Sequence, residues 1–337
     1  MSGRDSRIDA AKGMLITLVV VAHFVGASPG TADVGNGWHV EPQRFLLLGV
    51  YLAHMPLFIF FVGVTASADR LAERVTKLLV LLVSLHAIYS TVMRLLTGSW
   101  PHEVFIIPFW VLWFLGAMIW WLIALPLVQR APRTSLAASI AGSIAVGFAP
   151  IDGYIATFSR AVVFLPFFII GHLYGRRILD AVGRLDLAHR LAAALALLLL
   201  TVAVWSRDPA QQWFYGSHTF DQLGVDPASG VVDRLGVLAV TFVASALMLC
   251  LMPQRASRFE GAGRNSLAIY ALHPAAVLLY DRLPWPANPH SFPPPIQTVV
   301  AIVIGLAVVA VFARPIFDRS LRVYSSRTTK VLHGIVR

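Results

Sequence analysis

Apolar runs separated by short polar segments repeat along the whole chain. A helix needs about 17–25 predominantly apolar residues to cross a hydrocarbon layer about 30 Å thick. Runs of that kind predict about ten transmembrane helices, near 10–28, 45–66, 78–97, 106–128, 135–150, 160–175, 190–206, 234–253, 265–283 and 296–314. The fifth and sixth are the shortest. The expected fold class is all-α, a polytopic integral membrane helical bundle. Residues 1–320 form one transmembrane domain and 321–337 a basic cytoplasmic tail along the inner leaflet.

Positive charge fixes the expected orientation. With both termini cytoplasmic, every inward segment carries Arg or Lys, and of the 27 basic residues only Arg44, Arg94, Arg160, Arg207, Arg234 and Arg282 fall outside. The segments on that outer side are rich in Gly, Pro, Asn and aromatics, and Trp213, Phe214, Tyr215 and His218 could stack on sugar rings or belong to the interfacial belt.

Composition agrees with the pattern. Apolar residues make up 57% of the 337 and charged residues 13%, too few to cover a water-facing exterior. The net charge of +10 comes from arginines between apolar runs, so it reflects membrane topology and excludes a nucleic-acid partner. Cys250 is the single cysteine, so no intrachain disulfide forms. The few lysines (Lys12, Lys77, Lys330) against many arginines suit a GC-rich bacterial genome, hence a bacterial inner membrane. The N-terminus could pass for a signal peptide, but the spans that follow argue against cleavage.

The candidate chemistry starts in the first helix. Lys12 and His23 are separated by 11 positions, about three turns, which puts them on one stripe about 16 Å apart. If Lys12 marks the inner interface, His23 lies near mid-depth, where an ionisable group is costly and a functional candidate by default. The same count puts His54, His86 and His273 near that depth, suggesting a polar chamber. Asp and Glu instead fall in loops and at helix ends. Imidazoles without buried acids suit a neutral general base better than a carboxylate ion coupler. No two histidines are spaced i, i+4 and no G-x-S-x-G accompanies them, so neither a metal site nor a Ser-His-Asp triad is expected. Arg70, Arg74 and Lys77, at i, i+4 and i+7, give a basic face able to hold phosphates, or ordinary positive-inside anchors.

Several blocks together resemble a known family. RDSRIDAAKGMLITLVVVAHF is similar to the first helix of the membrane acyltransferase 3 family, in which a basic residue, ten residues and a histidine recur; Lys12 and His23 match in register. HMPLFIFFVG, the Arg74-Val-Thr-Lys77 element, LWFLGAMIWW, LPFFIIGHLYGRR and GRNSLAIYALHP resemble further family blocks in order, with the fucose 4-O-acetylase-like branch the nearest in flavour. Lys77 stands where the family element has a second Arg, and it cannot give Arg's bidentate phosphate grip.

The resemblance implies transfer of an acyl group, acetyl in the first place, from cytoplasmic acyl-CoA to a hydroxyl of a cell-envelope sugar, glycan or glycolipid. It places His23 as general base with Lys12 in the catalytic set. Arg70, Arg74 and Lys77 serve the donor, and His54, His86, His273 and Trp113 line the acceptor side. Acyl-CoA is then a co-substrate, with no tightly bound cofactor and no metal. The competing reading is a transporter or flippase of envelope precursors, to which a polar midplane also suits. An inactive scaffold of an envelope synthesis complex is a third.

Overall fold

A computed structural model describes residues 5–27, 38, 43–100, 106–149, 154–255, 257–282 and 293–335. The Gly- and Pro-rich segments expected between the first and second helices and after the ninth lie mostly outside these residues. The described chain is helical, with no strand. In order the helices are α1 (Ser6–Gly26), α2 (Arg44–Tyr51), α3 (His54–Thr65), α4 (Leu71–Thr97), α5 (Trp113–Arg130), α6 (Pro132–Ala145), α7 (Phe158–Val182), α8 (Leu187–Trp205), α9 (Gln212–Tyr215), α10 (Pro227–Leu251), α11 (Glu260–Arg264), α12 (Ser266–Arg282), α13 (Pro294–Phe312) and α14 (Pro315–Ile335).

Among the described residues, eight spans are long and apolar enough to cross a membrane; α2 and α3 together make one of them. The two remaining runs of the expected ten correspond to α6, only 14 residues long, and to α12, with 17. The sixth run is longer than its apolar core suggested, because α7 is helical over the 25 residues of Phe158–Val182.

The chain divides into two compact units. The first comprises Met1–Phe58, Arg176–Phe214 and Val237–Asp318. At its centre stands α1, with 72% of its apolar window buried against 17% for α8. A helix apolar on all sides belongs inside, and α1 packs against α2, α11, α12 and α13. Contact with α11 is backbone to backbone: a Cβ on Gly13 would overlap the Phe259 carbonyl oxygen, and one on Gly263 the Asp9 carbonyl oxygen. Between lipid-embedded helices association depends on close packing, which small residues permit. This approach brings the buried Asp9 within 3.9 Å of the Arg264 guanidinium. Asp9, at the start of α1, is therefore an acid inside the protein, and Asp318, in the first turn of α14, is buried too.

The second unit comprises Ile59–Gly175, Tyr215–Gly236 and Arg319–Arg337. Gly63 of α3 and Gly171 of α7 pack by the same device, since a Cβ on Gly63 would strike the Phe168 carbonyl and one on Gly171 the Phe60 carbonyl. Helix α5 packs on α4 and α6. The basic tail is helical: in α14, His333 lies 3.3 Å from the Thr76 hydroxyl and Tyr324 Oη 2.7 Å from Ser84 Oγ of α4.

Candidate active site

The first unit holds Lys12, His23, His54 and His273. Helix α1 runs unbroken from Ser6 to Gly26, so the half-buried Lys12 and His23 share a stripe about 16 Å apart along its axis. The second unit holds Arg70, Arg74, Lys77, His86 and Trp113.

His23 and His273 are hydrogen-bonded, His23 Nδ1 to His273 Nε2 at 2.9 Å. Their rings lie within 13° of parallel with centroids 5.2 Å apart. Two imidazoles joined edge to edge through an N–H···N bond have this spacing, so the contact is an in-plane bond and not a face-to-face stack. His273 is fully buried, and its Nδ1 lies 2.9 Å from the carbonyl oxygen of Ile269. A carbonyl only accepts, so Nδ1 of His273 carries the proton and, in the neutral ring, Nε2 carries the lone pair. His23 Nδ1 then donates to His273, and the lone pair of neutral His23 falls on Nε2. A chain of two hydrogen bonds thus selects the tautomer a general base needs.

His273 turns back on its own helix, its Nδ1 bonding the carbonyl four residues back, just before Pro274. His54 makes the same turn: α2 and α3 break at Leu52–Ala53, and His54, at the head of α3, donates Nδ1–H to the Val50 carbonyl at 2.8 Å. That leaves the lone pair of a neutral His54 on Nε2 too. Tyr51 stands edge-on to His54 with ring centroids 5.2 Å apart.

In the second unit, His86 Nδ1 accepts the backbone N–H of Phe109 at 3.0 Å, so it holds the segment leading into α5. Trp113, the first residue of α5, lies 4.8 Å from the Arg160 guanidinium. Arg70 caps α4 with a left-handed backbone (φ 51°) and an exposed side chain. Arg74 donates to the Ser67 carbonyl at 2.9 Å. Sequence reasoning passed over Glu73, which pairs with Lys77 at 2.6 Å and with Arg70 at 3.6 Å. An i, i+4 partner one turn before a lysine was visible in the chain. Trp213 and Phe214 are buried, whereas Tyr215 and His218 are half-exposed.

A family model for an acyltransferase domain matches residues 5–314, from the N-cap of α1 to the end of α13. The chain belongs to the acyltransferase 3 family. It is a multi-pass membrane acyltransferase, acting between an acyl donor and an acceptor. No curated protein and no solved structure matches it. Among the described residues no cluster of His, Cys, Asp and Glu could hold a metal ion.

Proposed function

We propose that this membrane acyltransferase moves an acyl group, acetyl in the first place, from acyl-CoA to a hydroxyl of a cell-envelope sugar, glycan or glycolipid, with His23 as general base. The observation that carries the reading is the chain from His23 through His273 to the Ile269 carbonyl, because it leaves a basic nitrogen on the helix that the family match includes. His23 Nε2 takes the proton of the acceptor hydroxyl while its oxygen attacks the thioester carbonyl carbon. The oxyanion collapses, the C–S bond breaks, and the CoA thiolate takes the proton back from His23. The products are an ester and CoA. His273 is a positioning residue: it fixes the His23 tautomer and spreads the charge of the transient imidazolium. A neutral partner orients without the electrostatic help that a carboxylate gives in a Ser-His-Asp triad.

Lys12, about 16 Å along the helix from His23, is too far to touch the reacting carbonyl. It is offered to the phosphates of the donor, and the basic face of Arg70, Arg74 and Lys77 is a donor-binding candidate within its own unit. The reading puts both termini in the cytoplasm, supported by the placement of arginine, and the protein in a bacterial inner membrane, supported by the few lysines against many arginines. Purified protein given acyl-CoA with a radiolabelled acetyl group and a panel of envelope glycans should transfer label, and His23→Ala should not, at equal expression. Movement of unmodified glycan across liposomes without CoA would show a carrier instead.

A further inference from the structure

The second unit contains a cluster that base catalysis does not use. Arg160, at the start of α7, is buried, and ring faces surround it: its guanidinium carbon lies 4.8 Å from the Trp113 ring centroid, 4.9 Å from Tyr154 and 5.8 Å from Tyr215. His218 stands edge-on to Tyr154, centroids 5.7 Å apart, and tilted on Tyr215 at 6.2 Å. A second buried arginine, Arg234 of α10, donates to the His218 carbonyl at 2.8 Å and holds that segment in place. Trp113, Tyr154, Tyr215 and His218 are half-exposed, so these rings reach the surface while the cation is buried against their faces.

The backbone is bent to build this arrangement. Ala156 and Thr157, just before α7, both have left-handed backbones, with φ 48° and 59°. Such conformations strain non-glycine residues and gather where a site demands them. Aromatic faces with a cation at their base match a pyranose ring that carries an acidic group: the ring stacks on the walls, and guanidinium donors take a carboxylate bidentately.

We propose that Arg160 and its aromatic walls form a binding site for a carboxylate-bearing sugar unit. This rests on the acyl-transfer reading only in making that sugar part of the acceptor; the binding itself needs no transfer.

Saturation-transfer NMR on the full chain in lipid nanodiscs tests it with methyl glucuronide and methyl glucoside as probes. The glucuronide should bind at least about tenfold more tightly, a difference of about 1.4 kcal/mol. Arg160→Met should equalise the two sugars, Arg160→Lys should keep part of the preference, and Trp113→Leu should weaken both. His23→Ala should bind as wild type does, which separates this site from the catalytic reading. Equal affinity for the two sugars in the wild type, or a preference that survives Arg160→Met, overturns the proposal. Should Arg160→Met fail to fold, esterifying the glucuronide carboxyl still decides: the wild type should then bind it no better than the glucoside.

Discussion

His23 donates its Nδ1 proton to Nε2 of His273, and His273 donates its own Nδ1 proton to a carbonyl of the helix that carries it. Each ring therefore sets the tautomer of the next, and orientation passes from the backbone of α12 to a side chain of α1. His273→Gln, which can still offer an acceptor to His23, should retain more activity than His273→Phe, which cannot. The expected loss for Phe is on the order of tenfold to a hundredfold in kcat, with KM for acyl-CoA unchanged. It is smaller than the loss at His23 because the base itself remains. Steady-state kinetics of both variants check this, and equal kcat for Phe and wild type would remove His273 from the account.

Gly13 predicts a folding defect in place of a catalytic one. An added Cβ meets the Phe259 backbone, which cannot swing away as a side chain can, so Gly13→Ala should destabilise by about 1–3 kcal/mol. Gly26, at the end of the same helix, has open space around an added Cβ and supplies the control. Thermal unfolding in detergent should separate the two, and equal melting temperatures would contradict the backbone contact.

Asp5 gives a pH signature. It caps α1 by accepting the Arg7 backbone N–H at 3.0 Å and pairs with the Arg7 guanidinium at the same distance. The Arg7 side-chain hydrogen bond, first among the causes, holds its carboxyl below the ordinary carboxylate value, against a smaller effect of burial. A carboxyl depressed in the folded state stabilises above its unfolded pKa, about 3.9, and loses that contribution as pH falls through the lower folded value. Asp5→Asn keeps a capping oxygen but not the charge. Its melting temperature should fall below wild type at neutral pH, and the two should converge below about pH 3. A constant difference across the titration would contradict the pairing.

Glu73 tempers the basic face. Because it pairs with Arg70 and Lys77, Glu73→Gln should free both cations and lower KM for acyl-CoA, while Lys77→Ala should raise it by a few-fold. Both effects should shrink in high salt. Unchanged KM in Lys77→Ala would make these residues membrane anchors only.

Much of the architecture was legible because the bilayer enforces it. Run length and arginine placement yield the long spans, and helical period alone aligns Lys12 with His23. The run read at 265–283 matches α12, whereas the five-residue α11 carries no apolar run to announce it. Pairing between His23 and His273 was out of reach, for 250 residues separate them and no local pattern links α1 to α12. The glycine contact of Gly13 with α11 was equally hidden, since a lone glycine in an apolar helix carries no address for its partner. Arg160 was read from charge counts as one of a few outer arginines, while its aromatic surround joins α5, α7 and the segment before α10.

The most direct test of the central claim is a single-turnover measurement on His23→Ala, with enzyme in excess over the labelled acyl donor and the acceptor glycan saturating. The account predicts that acyl transfer slows by about 10²–10⁴-fold while CoA affinity stays as in the wild type, and that added imidazole restores part of the rate. A single-turnover rate equal to that of the wild type would contradict it.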